Sequence, residues 1–243
     1  MKIIKVKNYE EVSKEAALYM IEKIRKSPSI VLGLATGGTP EGMYANMIKD
    51  HQENHTSYSN ITTFNLDEYL GLDGGHESSY RYFMDSHLFN HIDIDKSKTY
   101  VPSGNASDSV DECEKYEQLI KETGGIDLQL LGIGGNGHIG FNEPGTSFQS
   151  NTHLVELTDK TRNDNARYFD KLENVPTHAI TMGIATIMEA KEILLLASGE
   201  AKRETMRRLI QGEISEDFPA SILNNHPHVT IIADEAALSG LDN

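Results

Sequence analysis

At 243 residues, 38% apolar and 24% charged, the chain has the balance of a globular protein that can bury a large core, and no apolar run approaches the ~20 residues of a membrane span. Lys plus Arg number 22 against 37 Asp plus Glu, a formal charge of −15 that argues against nucleic acid as a partner, because a phosphate backbone needs a basic footprint. A small anion held by a few fixed donors remains open, and the lone Cys113, with an opening Met1-Lys2-Ile3-Ile4-Lys5 that lacks a secretory apolar core, predicts a cytoplasmic location.

No linker, repeat or low-complexity tract divides the sequence, which predicts a single domain over residues 1–243. Tyr9–Lys26 reads as a helix with Val12, Ala16, Tyr19, Met20 and Ile24 on one face, stopped by Ser27-Pro28. Residues 30–34 are an apolar run of strand length. Gly37-Gly38-Thr39-Pro40 then predicts a helix reaching about Gln52, with Thr39 as N-cap and Pro40 in first position. Further along, 61–66 reads as a strand and 79–91 as a helix. A helix is also predicted over 109–123, with Ser109 and Glu112 at capping-box spacing, Cys113, Tyr116 and Ile120 on its buried stripe, and Gly124-Gly125 as its end. Strands follow at 127–133, 192–197 and 229–233, with a helix over 200–210 between the last two.

Continuously apolar strands alternating with helices predict an α/β fold: a Rossmann-like parallel sheet with helices on both faces. In such sheets ligands sit outside the carboxyl ends of the strands. The segments that follow the strands therefore carry the functional reading.

After the first stands A-T-G-G-T-P (Ala35 to Pro40), where glycines let backbone approach a ligand and a helix N-terminus offers unpaired N–H groups to a phosphate. Gly33 to Gly38 has the glycine spacing of a Walker loop, but Thr39 stands where its lysine should be. The second strand runs into F-N-L-D-E-Y (Phe64 to Tyr69); of the adjacent carboxylates Asp67 and Glu68, one can face a cleft while the other points away, and Asp67 is the candidate base. After the third comes L-G-I-G-G-N-G-H-I-G-F-N-E-P (Leu131 to Pro144), a glycine-dense loop containing Asn136, His138 and Glu143. An imidazole there can take and return a proton near neutrality, with a carboxylate on its other nitrogen to set the tautomer. The fourth precedes S-G-E-A-K-R-E (Ser198 to Glu204); Lys202 falls in a first helical turn, where the dipole disfavours it unless an anion is near, and spacing alone does not separate it from Arg203. No G-x-S-x-G elbow is present, Cys113 lies inside an amphipathic helix, and His226-Pro227-His228 lacks further ligands at metal spacing and reads as a turn.

Together T-G-G-T-P, F-N-L-D-E-Y, G-G-N-G-H-I-G-F-N-E-P and S-G-E-A-K resemble the glucosamine-6-phosphate deaminases, in order and over nearly the whole chain. The phosphate loop alone is shared with 6-phosphogluconolactonases. The resemblance implies conversion of glucosamine 6-phosphate to fructose 6-phosphate and ammonia in amino-sugar breakdown, with no cofactor and no metal. It implies that Asp67 is the base of enolisation, that His138 opens the sugar ring, and that Glu143 orients His138. Asn136 matches a position that is aspartate in some members, so Glu143 becomes the sole charged partner of the imidazole. Thr36, Gly37, Gly38 and Thr39 match the phosphate loop, and Arg167 and Lys202 match phosphate-binding cations; residues 151–177 correspond to a lid. Some members are hexamers activated by N-acetylglucosamine 6-phosphate through a basic pair, at whose positions this chain has His153 and Val155. That departure and the ending at Asn243 imply a monomer or small homo-oligomer, with neither nucleic acid nor membrane as partner. Lactone hydrolysis is the second enzymatic reading and a non-catalytic sugar-phosphate sensor the third; neither needs Asp67 as a carbon base.

Overall fold

The apolar runs become strands in the order in which they are written. The computed structural model describes residues 1–169 and 171–241; Asp170, inside the 151–177 segment, and Asp242 and Asn243 lie outside the described residues. The first half comprises β1 (Lys2–Val6), α1 (Tyr9–Lys26), β2 (Val31–Leu34), α2 (Gly38–Asn54), β3 (Thr62–Asn65), β4 (Asp67–Tyr69), α3 (Tyr80–His87), β5 (Thr99–Tyr100) and α4 (Ser109–Glu122). The second comprises β6 (Leu128–Leu131), β7 (His153–Glu156), α5 (Asp159–Asn165), β8 (His178–Thr181), α6 (Ile184–Met188), β9 (Ile193–Ala197), α7 (Arg203–Gln211) and β10 (Val229–Asp234). Among the described residues, no helix is long and apolar enough to cross a membrane.

Seven strands form one sheet in the order β1-β10-β9-β6-β2-β3-β5, every neighbouring pair parallel. From β2 the chain moves outward to β3 and β5, then returns to β6 and continues the other way to β9 and β10. With right-handed crossovers, that reversal puts α1, α2 and α3 on one face and α4, α6 and α7 on the other. The expected stripes pack inward: Val12, Ala16, Met20 and Ile24 on α1, and Cys113, Tyr116 and Ile120 on α4, are buried. β2, β6, β9 and β10 are buried along their whole length, as strands covered on both sides must be. At on the order of 1.5–3 kcal/mol for each fully buried Leu or Ile, this core holds the strand ends rigidly.

A three-stranded antiparallel sheet, β4-β8-β7, which the sequence did not signal, stands beyond the carboxyl end of the main sheet. Its strands are short, and β7 alternates half-buried with exposed residues, so no apolar run marks them. Edge strand β1, interrupted by Lys2 and Lys5, went unmarked for the same reason.

Three expected helix starts are corrected. α2 begins at Gly38, not Pro40, because Gly37 turns the chain with φ +88° and takes the cap position without a side-chain bond, so Thr39 is not an N-cap. At α4 the cap is Asp108, whose Oδ1 accepts from the N–H groups of Val110 and Asp111, while Glu112 accepts instead from Ser103 N–H at 2.8 Å. The helix expected over 200–210 opens as a 3-10 turn at Glu200–Lys202, and α7 starts only at Arg203, so Lys202 precedes the α-helix.

Candidate active site

β2 and β6 are neighbours whose onward connections run in opposite directions, which makes the gap between their carboxyl ends the switch point where α/β sheets bind ligands. A cleft of about 440 Å³ opens there. Thr36, Gly37, Gly38, Thr39, Asp67, His138, Arg167 and Lys202 all line it; Asn136 and Glu143 do not.

One end is built for an anion. α2 points its N-terminus at the cleft without a side-chain cap, and among the described residues its first-turn N–H groups meet no side-chain acceptor. Lys202 reaches in from the loop after β9, its Nζ donating to Ile133 O at 2.7 Å, and Arg167 stands exposed at the rim. Arg203, which spacing could not separate from Lys202, turns to the surface and pairs with Glu200 at 3.6 Å.

Adjacent carboxylates occupy the middle, on β4. Asp67 lines the cleft at 7% exposure, and burial first, then the neighbouring Glu68 charge, pushes its carboxyl up to about 8. Glu68 points the other way, accepting from the N–H groups of Tyr69 and Tyr80 at 2.9 Å and of Arg81 at 3.0 Å; burial raises it to about 7 against those bonds. The pleat thus gives the two neighbours different tasks: one caps α3 and the other faces the ligand space.

Opposite stands His138. Its ring lies against Gly134, where a Cβ would meet the imidazole at 2.2–2.4 Å, so that glycine is required by close approach. His138 Nδ1 is buried and meets no hydrogen-bond partner among the described residues; Glu143 Oε1 lies 3.7 Å away, an ion-pair distance too long for a hydrogen bond. The 31% of the side chain that is exposed therefore belongs to its other edge, toward the cleft.

Glu143 is itself firmly held. Asn136 Nδ2 donates to Oε2 at 2.6 Å, and Asn136 Oδ1 accepts from His138 N–H at 3.3 Å, so the amide bridges the carboxylate and the histidine backbone. Thr161, the N-terminal-turn residue of α5, donates its hydroxyl to Glu143 Oε1. Burial would raise the Glu143 carboxyl, but His138, Thr161 and Asn136 overcome it and hold it at about 2. Thr161 was not anticipated; its only sequence signal is a helix-start pattern, Thr158 followed by Thr161, whose Oγ atoms are 3.0 Å apart.

The second sheet brings these groups together. Asp67 on β4 pairs with Thr181 on β8, and Thr181 Oγ1 accepts from Phe141 N–H at 3.1 Å. Asn142, wholly buried, ties the same loop to β8 by donating to Met182 O at 2.9 Å and to Ile139 O at 2.8 Å. The loop bearing His138 is thereby sewn to the strand beside Asp67.

Comparison with known proteins agrees with this geometry. A family model described as glucosamine-6-phosphate isomerases/6-phosphogluconolactonase matches residues 7–232. A glucosamine-6-phosphate deaminase of Shouchella clausii is 60% identical over 239 residues, covering 98% of this chain and 97% of its own. A solved monomeric glucosamine-6-phosphate deaminase superposes with a TM-score of 0.97 at 53% identity, over 98% of this chain and 99% of that one. The 6-phosphogluconolactonase of Trypanosoma cruzi, at 19% identity, TM-score 0.81 and coverage of 100% and 97%, shares the fold. With its switch-point cleft, its uncapped helix and nearly its full length matched, the chain belongs to the glucosamine-6-phosphate isomerase/6-phosphogluconolactonase family.

Proposed function

We propose that the chain converts glucosamine 6-phosphate and water to fructose 6-phosphate and ammonia. The observation that carries this reading is a buried, proton-retentive Asp67 in the same cleft as His138 and an uncapped helix N-terminus. Phosphate seats on Thr36 to Thr39, with Lys202 and Arg167 as its cations. His138 takes the proton of the anomeric hydroxyl and returns one to the ring oxygen as the C1–O5 bond breaks, giving the aldehyde. Glu143, held by Asn136 and Thr161, stabilises the imidazolium that forms in between.

Asp67 then removes the C2 proton; the C–H electron pair forms the C1=C2 bond, and the aldehyde oxygen takes up a proton from the C2 ammonium, which leaves an enolamine with a free nitrogen lone pair. Returning the proton to C1 leaves an iminium at C2, to which water adds before ammonia departs and the ketone forms. A base with a pKa near the working pH is well matched to a carbon acid, and the substrate's own ammonium at C2 favours the Asp67 carboxylate that burial disfavours.

Residues 151–177 act as a lid within a single domain, supported by Thr161 and Arg167 reaching the cleft from that segment. The chain works in the cytoplasm as a monomer or small homo-oligomer, in line with its full-length similarity to a monomeric deaminase. Lactone hydrolysis would use the anion end and the imidazole but leave a raised Asp67 idle. Ammonia release from glucosamine 6-phosphate, measured beside hydrolysis of 6-phosphogluconolactone, tests the reading; lactone turnover without ammonia would overturn it.

A further inference from the structure

We propose that Asp234, outside the cleft, is a positioning residue that sets the phosphate-binding geometry of Lys202; the inference rests on the reading of Lys202 given above. Asp234 ends β10 at 3% exposure, beside the end of β9. A buried carboxylate persists only where donors surround it, and here they do. Both of its oxygens lie 3.0 Å from Gly199 N, Oδ2 also accepts from the Ser198 hydroxyl, and Oδ1 accepts from Ala237 N–H at 2.8 Å.

Two of these donors begin the turn that delivers the lysine. Gly199 has φ +91°, with open space where a Cβ would stand, so backbone sign rather than crowding demands glycine there. From Gly199 a single 3-10 turn, closed by Lys202 N–H donating to Gly199 O at 3.0 Å, fixes the start of the lysine side chain. Its far end is fixed by the Ile133 carbonyl, at 2.7 Å. Lys202 is therefore anchored at both ends, by Asp234 through Gly199 and by the loop after β6. Shifting the cation weakens its phosphate contact, whereas Asp67 and the His138 loop are held by β4 and β8 and do not move with it.

The test uses Asp234→Asn, Ser198→Ala and Lys202→Gln in the full chain, with kcat and KM for glucosamine 6-phosphate and competitive inhibition by inorganic phosphate. Asp234→Asn is expected to raise KM about tenfold and weaken phosphate inhibition in parallel, with kcat within about twofold of the parent; Ser198→Ala should do the same to about threefold. A folded Asp234→Asn with unchanged KM, or a fall in kcat alone, overturns the inference. If Asp234→Asn does not fold, Ser198→Ala decides, and an unchanged KM there overturns it. Lys202→Gln separates the two layers: an unchanged KM in that variant removes the phosphate role of Lys202 and the inference with it, whereas a raised KM beside an inert Asp234→Asn sinks the inference alone.

Discussion

His138 Nδ1 and Glu143 Oε1 stand 3.7 Å apart, with the imidazole nitrogen buried and the carboxylate already engaged by Asn136 and Thr161. A small rotation closes that gap to a charge-assisted hydrogen bond once the ring gains a proton. Glu143→Gln removes the charge that stabilises the imidazolium, so kcat on the cyclic substrate should fall by roughly 10²-fold, the scale of general acid–base effects. Binding of an open-chain analogue should be nearly unchanged; an equal loss there would mark Glu143 as structural.

Thr161→Val keeps the shape of the side chain and deletes its donor to Glu143. A bond to a charged acceptor is worth ~1.5–3 kcal/mol, so kcat should drop by about tenfold or more, with KM little moved, and Thr161→Ser should restore it. Equal kinetics for the valine and serine variants would show that the hydroxyl has no part.

Asp67 must ionise to act as a base, and burial with the neighbouring Glu68 pushes its carboxyl up to about 8. Accordingly kcat/KM, which reports the free enzyme, should rise with pH until about 8. Glu68→Gln removes the neighbouring negative charge that contributes to this elevation and should move the rising limb to lower pH. A limb that stays in place would assign it to another group.

The same elevation has a cost in stability. With a folded value of about 8 against an unfolded value near 3.9, the native state keeps a proton that the unfolded chain has lost across that window, so stability falls as pH rises through it. Asp67→Asn cannot ionise and should therefore abolish exchange of the C2 proton with solvent deuterium while raising the melting temperature more at pH 8 than at pH 5. A variant no more stable than the parent at pH 8 would contradict the burial cost.

Five strands of the main sheet (β2, β3, β6, β9 and β10), the stripe on α1 and the segments at the strand ends were legible because each is local: an apolar run, a helical period or a turn residue reports its own environment. The α2 start was misread because Gly37, at φ +88°, enters the helix by a backbone turn that no side-chain cap announces. Thr161 was missed because its partner, Glu143, lies 18 residues away, and the contact exists only after α5 folds back over the loop. The antiparallel strands escaped because they are three or four residues long and polar side chains interrupt each, so none carries an apolar run.

By itself the sequence determined the parallel α/β sheet, the family, and the residue types gathered at the strand ends. Only the tertiary structure decided that Asp67 faces the cleft while Glu68 caps α3, that Lys202 and not Arg203 reaches inward, and that β4 and β8 draw Asp67 to the histidine loop. The physical reason is distance along the chain. Side-chain chemistry is written residue by residue, but orientation, burial and the proton affinity that follows from them arise from groups that meet only when remote segments pack.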